Sequence, residues 1–307
     1  MFSRTLFIKL SAHARLRRFS ERSRLGRRMS NRFVAGTTID EALEAAAKVT
    51  ALGSSVSIDS LGENVTNPVE ARNSAEVYHR LLDRIHERGL DANVSLKLTQ
   101  MGLDLDESIA RETVSELVSH AARLGSFVRV DMEGSLYTQR TLDLVREVHR
   151  RPGHAGRVGT VIQAYLRRSE RDVEELVSEG IRIRLCKGAY QEPASVAWQA
   201  KSEVDASFVR LMKVLLSSGV YHGIATHDPR MIEATIEHAR QGRVDREAFE
   251  FQMLYGIRRG LQERLRREGW RVRVYVPFGD AWYPYFMRRL AERPANVLFL
   301  AKNIVRA

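Results

Sequence analysis

Short apolar runs rich in β-branched residues alternate along this chain with longer segments in which apolar residues recur every three or four positions. The first pattern is typical of buried β-strands and the second of amphipathic helices. Eight runs of the first kind are predicted to be strands, at residues 55–58, 93–98, 127–130, 158–165, 181–187, 221–226, 250–254 and 272–276. The helical segments span residues 38–51, 69–89, 106–124, 138–150, 169–178, 195–217, 229–241 and 257–268.

A last helix is predicted from Asp280, its N-cap, to Arg293, where Pro294 ends it. The neighbouring guanidiniums of Arg288 and Arg289 on this helix can grip a carboxylate through their planar forks. A solvated basic face is the alternative interpretation of adjacent arginines.

Strands that alternate with helices favour a parallel sheet covered by helices, and eight such units fit a closed (β/α)₈ barrel of the TIM type. An open doubly wound sheet is the main alternative, but it would gather polar residues only at its switch point. Here polar residues follow strands all round the predicted ring, namely Glu63, Lys97, Asp131, Glu133, Gln163, Arg184, Lys187, Thr226, His227, Gln252 and Tyr275. The sequence therefore predicts an α/β fold, a (β/α)₈ barrel with N-terminal helices and a C-terminal substrate-binding helix.

The composition fits a globular protein. Of 307 residues, 44% are hydrophobic and 28% charged, and no run approaches the roughly 18 apolar residues that a membrane span needs. The single cysteine, Cys186, excludes an intramolecular disulfide, and within its apolar strand it is expected to be a core residue rather than a nucleophile. We expect a cytoplasmic protein, or one held peripherally at the inner face of a membrane, which would be mitochondrial in a eukaryote.

The formal net charge of +11 favours an anionic partner, such as a nucleic acid, a membrane surface, or an acidic substrate with its cofactor. Residues 1–33 supply most of the excess, with ten Lys and Arg against the single acid Glu21. We expect residues 1–36 to form a basic N-terminal helical arm and residues 37–307 the barrel domain. The arm could be a transit peptide, an amphipathic segment on anionic lipid, or a packed helix with a solvated face.

Missing motifs exclude several common enzyme classes. No GxGxxG follows a predicted strand, and neither GxxxxGK[ST] nor HExxH is present. The cations Lys97, Arg184 and Lys187 instead suit an anionic ligand or a phosphate-bearing cofactor. Gly188 and Ala189 would let a planar ligand approach the backbone closely.

Eight short strings at strand ends and in the last helix carry a resemblance. They are DSLGE at 59–63, SLK at 95–97, VDME at 130–133, QAY at 163–165, RLCKGAY at 184–190, ATH at 225–227, FQMLYG at 251–256 and YFMRRLAE at 285–292. Together and in this order, from about Arg32 to the C-terminus, they resemble the monofunctional bacterial proline dehydrogenases. The resemblance implies a distorted (β/α)₈ barrel that holds FAD non-covalently, oxidises L-proline to Δ1-pyrroline-5-carboxylate and passes electrons to a membrane quinone.

The resemblance also implies roles for particular residues. The catalytic and substrate-binding positions are Lys97, Asp131, Leu254, Tyr275, Tyr285, Arg288 and Arg289, of which the last two clamp the substrate carboxylate. The positions that contact FAD are Met132, Gln163, Arg184, Lys187, Gly188, Ala189, Tyr190, Thr226, His227 and Gln252. Glu63 would pair with Arg288 as a gate. Gln191 departs from the bifunctional relatives, which carry an aromatic residue there against the flavin.

Three further interpretations concern single features. Lys97 and Asp131 are expected to form a buried ion pair that shapes the pocket. In a flavin-free alternative, Lys187 forms a Schiff base with a carbonyl substrate, and Glu133 or Asp131 carries the proton. In a non-catalytic alternative the chain binds nucleic acid or lipid through its charge, but the barrel pattern gives this alternative little support.

Overall fold

The computed structural model describes residues 32–62 and 64–292, and for residues 288–292 it describes the backbone alone. Most of the predicted basic arm therefore lies outside the described residues, as does Glu63. None of the helices in the described ranges is long and apolar enough to cross a membrane.

Eight parallel strands close into a barrel in chain order, so that β1 pairs with both β2 and β8. They are β1 (Ser55–Ser60), β2 (Ala92–Leu96), β3 (Val128–Val130), β4 (Val158–Gln163), β5 (Arg182–Cys186), β6 (His222–Ala225), β7 (Phe249–Leu254) and β8 (Val272–Phe278). Each lies on a segment predicted to be a strand, and the (β/α)₈ architecture predicted from the sequence is confirmed.

Nine α-helices lie within the described residues, one before β1 and one after each strand. They are α1 (Ile39–Thr50), α2 (Pro68–Glu87), α3 (Glu107–Arg123), α4 (Thr138–His149), α5 (Ser169–Ser178), α6 (Lys201–Ser217), α7 (Pro229–Gln241), α8 (Arg259–Arg267) and α9 (Trp282–Glu292). A short 3₁₀ turn, Ser135–Tyr137, precedes α4.

Side-chain caps fix where several helices begin. Thr38 accepts the backbone N–H of Glu41, and the Glu41 carboxylate accepts the N–H of Thr38, which forms a capping box at α1. Asn67 caps α2 and Asp228 caps α7, and in both cases proline occupies the first helical position. Asp228 thus ends the loop after β6 at a fixed place on the barrel rim.

Neighbouring residues along each strand point to opposite sides of the sheet. Val56 and Ile58 of β1 are fully buried in the apolar core that also contains Leu81 and Leu82 of α2. Ser57, from the other side of β1, accepts a hydrogen bond from Arg184 of β5 across the lumen. The apolar core therefore lies between sheet and helices, whereas polar side chains occupy the lumen, where branched aliphatic residues are usual.

The predicted start of α6 at residue 195 is wrong, because the helix begins at Lys201. The N–H of Trp198 donates to the carbonyl of Tyr165, and the guanidinium of Arg167 lies 4.0 Å from the Trp198 ring centre. These contacts hold the segment before α6 against the end of β4, so its backbone groups are unavailable for helix formation.

The last helix begins at Trp282, two residues beyond the predicted N-cap Asp280. The chain first turns at Gly279, whose φ of 119° is open to glycine and costly for other residues. Phe33 and Val34 pack against Trp282 and Phe286 of this helix. Residues at both ends of the described chain therefore share one apolar cluster.

Candidate active site

A cavity of about 430 Å³ opens where the strands end, a size within the usual range for small-molecule sites. All predicted site residues whose side chains the structure describes line it: Lys97, Asp131, Met132, Gln163, Arg184, Lys187, Gly188, Ala189, Tyr190, Thr226, His227, Gln252, Leu254, Tyr275 and Tyr285. The sequence thus predicted which residues would meet at one mouth, although the position of each says nothing yet of its role.

Three predicted residues cannot be placed in the cavity in this way. Glu63 lies outside the described residues, so the proposed gate with Arg288 stays a prediction. Arg288 and Arg289 belong to α9, but their side chains are outside the described part of the structure. The carboxylate clamp therefore also stays a prediction.

Arg184 spans the barrel lumen and connects four strands. Its Nε donates to Oε1 of Gln252 at 2.5 Å and its Nη1 to Oδ1 of Asp131 at 2.7 Å. Nη1 also reaches Ser95 at 3.3 Å, and Nη2 reaches Ser57 at 3.2 Å. With 7% of the residue exposed, this guanidinium is a fixed positive charge at the floor of the cavity.

The expected ion pair between Lys97 and Asp131 is wrong. Lys97 Nζ instead pairs with Oδ2 of Asp59 at 3.3 Å, and Asp131 pairs with Arg184. Residues on one strand alternate in direction, so Asp59 of β1 points into the lumen, as Ser57 does. There it lies on the same side of the sheet as Lys97, beyond the end of the neighbouring strand β2.

Asp59 accepts a hydrogen bond of 2.6 Å from the hydroxyl of Tyr275, which also lies 3.2 Å from Oδ2 of Asp131. Burial raises the pKa of Asp59; Lys97 lowers it and Asp131 raises it again, and the net shift is upward. Burial and these two carboxylates raise the pKa of Tyr275 well above its usual value. The Tyr275 hydroxyl therefore keeps its proton and acts as a donor.

Lys187 is held between two carboxylates, with Nζ at 2.5 Å from Asp205 and 2.8 Å from Asp228. Burial alone would raise the pKa of Asp228, but hydrogen bonds from Lys187 and from the N–H of Arg230 lower it well below its usual value. The pairing joins the end of β5 to α6 and to the cap of α7. It does not favour the Schiff-base alternative, which needs a free, neutral amine.

One side-chain amide and one imidazole at the mouth are oriented by hydrogen bonds to the backbone. Gln163 Nε2 donates to the carbonyl of Glu133 at 2.9 Å, and its Oε1 accepts the N–H of Ala189 at 3.1 Å. His227 Nε2 accepts the N–H of Leu254 at 2.9 Å. Because a backbone N–H can only donate, the proton of neutral His227 is on Nδ1.

Gly188 lies so close to the Tyr165 ring that any Cβ at this position would overlap it, and its φ is 128°. Only glycine fits both conditions, so the backbone after β5 runs tightly along the cavity wall. Cys186, two residues earlier, is partly buried and packs against the apolar core, and desolvation raises the pKa of its thiol to about 12. This agrees with the interpretation of Cys186 as a core residue rather than a nucleophile.

The sequence analysis missed four residues that support the site: Ser57, Asp59, Asp205 and Asp228. Asp59 could have been predicted from the sequence, since the alternation in β1 places it in the lumen two residues after Ser57. Asp205 lies inside a helix, and its contact with Lys187 depends on how α6 packs on the barrel. No local pattern in the sequence indicates that contact.

Comparisons with known proteins agree with the geometry. A family model described as "Proline dehydrogenase" matches residues 42–302. Proline dehydrogenase 1 of Bacillus subtilis subsp. natto is 41% identical over 305 residues, which cover 99% of each chain. Proline dehydrogenase of Deinococcus radiodurans is 38% identical over 281 residues, covering 91% of this chain and 90% of that one.

Among solved structures, proline utilization A from Bdellovibrio bacteriovorus, inactivated by N-propargylglycine, matches with a TM-score of 0.82 and 26% identity. The match covers 87% of this chain and 33% of that longer chain. The relatives that match from end to end are the bacterial proline dehydrogenases. The chain belongs to the proline dehydrogenase family, in its monofunctional bacterial form.

Proposed function

We propose that this chain binds FAD non-covalently in the cavity at the strand ends and oxidises L-proline to Δ1-pyrroline-5-carboxylate, passing the electrons to a quinone. Membership of the family supports oxidation of proline as the first step of proline catabolism. The observation that carries the proposal is the meeting of all described site residues in one cavity with the buried cation Arg184 at its floor.

The residues that line the cavity fit a flavin nucleotide. Arg184, Lys187 and the Nδ1–H of His227 supply positive charge or hydrogen-bond donors for an anionic, hydrogen-bonding ligand. Met132 and Leu254 supply apolar wall, and Gly188, whose missing Cβ makes room for the Tyr165 ring, keeps the backbone after β5 close along the cavity. When bound, FAD would supply the hydride acceptor.

The chain's own residues would orient the substrate. We propose that Arg288 and Arg289 hold the proline carboxylate in paired forks, which fixes which ring carbon faces the cofactor. Lys97, Leu254, Tyr275 and Tyr285 would complete the pocket around the ring. Orientation of this kind can lower a barrier by several kcal/mol.

The substrate nitrogen must lose its ammonium proton before the hydride leaves, because the product of that step is already a cationic iminium. Asp131 is already bound to Arg184 and Tyr275 is protonated, so both are better suited to stabilise charge than to remove a proton. Arg184 would stabilise negative charge that develops on the cofactor. We also propose that the iminium then loses its remaining N–H proton to give the imine.

The proposal extends to the electron acceptor and the basic arm. We propose that a membrane quinone is reduced, and that residues 1–36 form an arm that brings residues 37–307, the catalytic domain, to anionic lipid. The composition of residues 1–33 supports the lipid contact. The family assignment favours this enzyme over a Schiff-base lyase or a non-catalytic binder of nucleic acid or lipid.

The decisive experiment is a visible spectrum of the purified protein, followed by anaerobic addition of L-proline. We expect flavin absorption that bleaches with proline. Arg288→Lys and Arg289→Lys should keep the absorption but raise KM for proline at least tenfold, because a lysine ammonium cannot donate two parallel hydrogen bonds to the carboxylate as a guanidinium does. The exposed Arg240 offers a control, since Arg240→Lys should change neither property. A protein that is colourless, takes up no FAD and does not respond to proline would refute the proposal.

A further inference from the structure

A second cavity of about 180 Å³ lies at the opposite end of the barrel, where the strands begin. Five of its lining residues are arginines: Arg129, Arg157, Arg182, Arg184 and Arg273. The acidic residues that line it are Asp91 and Glu250. Asp91 and Gly125 are exposed at the edge of the cavity, so this base cavity is accessible from the solvent.

The positive charges in the base cavity are only partly balanced. Arg184 pairs with Asp131, and Arg273 pairs with Glu250 at 2.7 Å. Across residues 32–62 and 64–287, no carboxylate lies within 4.0 Å of the remaining three guanidiniums, those of Arg129, Arg157 and Arg182. Because like charges gathered around one cavity repel one another, a further negative ion bound there would stabilise this arrangement.

Arg129 shows that the guanidinium cluster is built into the barrel rather than placed on its surface. It is 3% exposed, and its Nη1 donates to the carbonyls of Thr160 at 2.8 Å and Arg182 at 2.6 Å. A Cβ at Gly159 would come within 2.8 Å of this Nη1, so the glycine on β4 leaves space for the guanidinium. The side chain is therefore held in place by its surroundings.

Donors at the base cavity are left over. The Nε atoms of Arg129 and Arg182 are buried and have no hydrogen-bond partner in the described part of the chain. The guanidiniums of both residues also lie over the Phe127 ring, 4.7 and 4.3 Å from its centre. Two guanidiniums are thus fixed against one ring, and each has an unused Nε–H group.

We propose that the base cavity binds a small oxyanion of the phosphate or carboxylate class. Guanidinium forks match the oxygen spacing of both groups. A cavity of about 180 Å³ holds roughly six waters' worth of liquid volume, enough for one such ion with some hydration and too little for a nucleotide. The base cavity is separate from the cavity at the strand ends, although Arg184 and Gln252 border both.

Thermal unfolding of the purified, FAD-saturated chain tests the proposal. Saturation with FAD occupies the cofactor's part of the site at the strand ends. It leaves the proposed carboxylate clamp of Arg288 and Arg289 open, so a rise in Tm counts as binding in the base cavity only where the cavity variants lose it. Tm is measured at increasing concentrations of inorganic phosphate and, in a separate titration, of succinate. Each titration is compared with sodium chloride at equal ionic strength. We expect a saturable rise in Tm with at least one of the two anions, and the anion that produces it identifies the class of ligand.

Two variants and one control locate the binding. Arg157→Gln and Arg182→Gln should each weaken binding of the anion at least tenfold, measured as the concentration that gives half of the maximal rise in Tm. Arg240 is exposed at the last turn of α7, at the same end of the barrel, so Arg240→Gln loses the same charge outside the cavity and should behave as wild type. The proposal is overturned if neither anion raises Tm above chloride, or if the rise survives in both cavity variants.

Discussion

The hydroxyl of Tyr275 donates a 2.6 Å hydrogen bond to Asp59, and so links the last strand of the barrel to the first at the floor of the site. The same carboxylate receives Lys97 at 3.3 Å and the Tyr78 hydroxyl at 3.2 Å. Asp59 is fully buried, so these donors replace the water that a carboxylate would otherwise bind. One carboxylate therefore positions Lys97 and Tyr275 in the pocket, in addition to the backbone pairing that joins β1 to β8.

Tyr275→Phe removes one donor from Asp59 and leaves the other two. We expect a loss of about 1–3 kcal/mol in the free energy of unfolding, measured by urea denaturation, since a buried acceptor loses a partner. We also expect kcat/KM for proline to fall. Tyr137→Phe is the control because its hydroxyl bonds the exposed Asp104, and stability should change by less than about 0.5 kcal/mol. Equal effects of the two substitutions would contradict the role given to Asp59.

Gly188→Ala should weaken the binding of FAD. The added methyl group would overlap the Tyr165 ring, and φ at this position disfavours any residue with a Cβ. FAD titration followed by fluorescence should show at least a tenfold higher Kd. Gly260→Ala is the matched control, since nothing lies within 4 Å of a Cβ there and its φ is not positive. An unchanged Kd in Gly188→Ala would show that the loop after β5 does not contact the cofactor.

Arg184→Met should both destabilise the protein and reduce FAD binding. It leaves the carboxylate of Asp131 without its ion-pair partner and Gln252 without a donor. Breaking a buried pair in this way costs about 3–5 kcal/mol, which chemical denaturation would measure. Arg264→Met removes a half-buried arginine paired with the exposed Glu233 and should cost less than about 1 kcal/mol. Should both variants retain full cofactor affinity, Arg184 would have only a structural role.

Glu250→Gln should change how stability depends on pH. Burial alone would raise the pKa of Glu250, but Arg273, Tyr221 and Gln252 lower it from 4.5 to about 2. A carboxyl group whose pKa is lowered by folding stabilises the fold at pH values above its pKa in the unfolded chain. This contribution disappears as the pH falls towards its pKa in the folded chain. The shift corresponds to about 3 kcal/mol at pH 7.

We therefore expect wild type to exceed Glu250→Gln in stability at pH 7 and the difference to shrink between pH 4.5 and 2. Urea denaturation at several pH values would measure it. Glu247→Gln, which removes an exposed pair with Arg271, should differ from wild type by less than about 1 kcal/mol throughout. A difference that does not depend on pH would show that Glu250 acts through packing rather than charge.

The sequence was sufficient to predict the barrel because each strand can be recognised from its own residues. A run such as residues 158–165 is mostly apolar, rich in β-branched residues and short enough to be a strand whatever its neighbours are. The cavity residues were also predictable, because all strand ends of a parallel barrel meet at one mouth. Chain order alone therefore brought Lys97, Arg184 and Tyr275 together.

Partners of individual charges were not predictable in this way. Lys97 pairs with Asp59 rather than Asp131, because the competing cation Arg184 reaches Asp131 from across the lumen. That choice depends on side-chain length and strand register, which no local pattern contains. The loop before α6 was mistaken for helix for a similar reason, since Trp198 is held by a carbonyl far from it in sequence.

Arg184 bonds to side chains from or just beyond β1, β2, β3 and β7, so its position reports the relative placement of four strands at once. Any displacement of one of them would move a positive charge beneath the proposed flavin. Substitutions such as Ser57→Ala, on the far side of the lumen, should thus shift the absorption maximum or midpoint potential of the cofactor without touching it. A change in the absorption of the flavin would then indicate a change in the relative position of the strands.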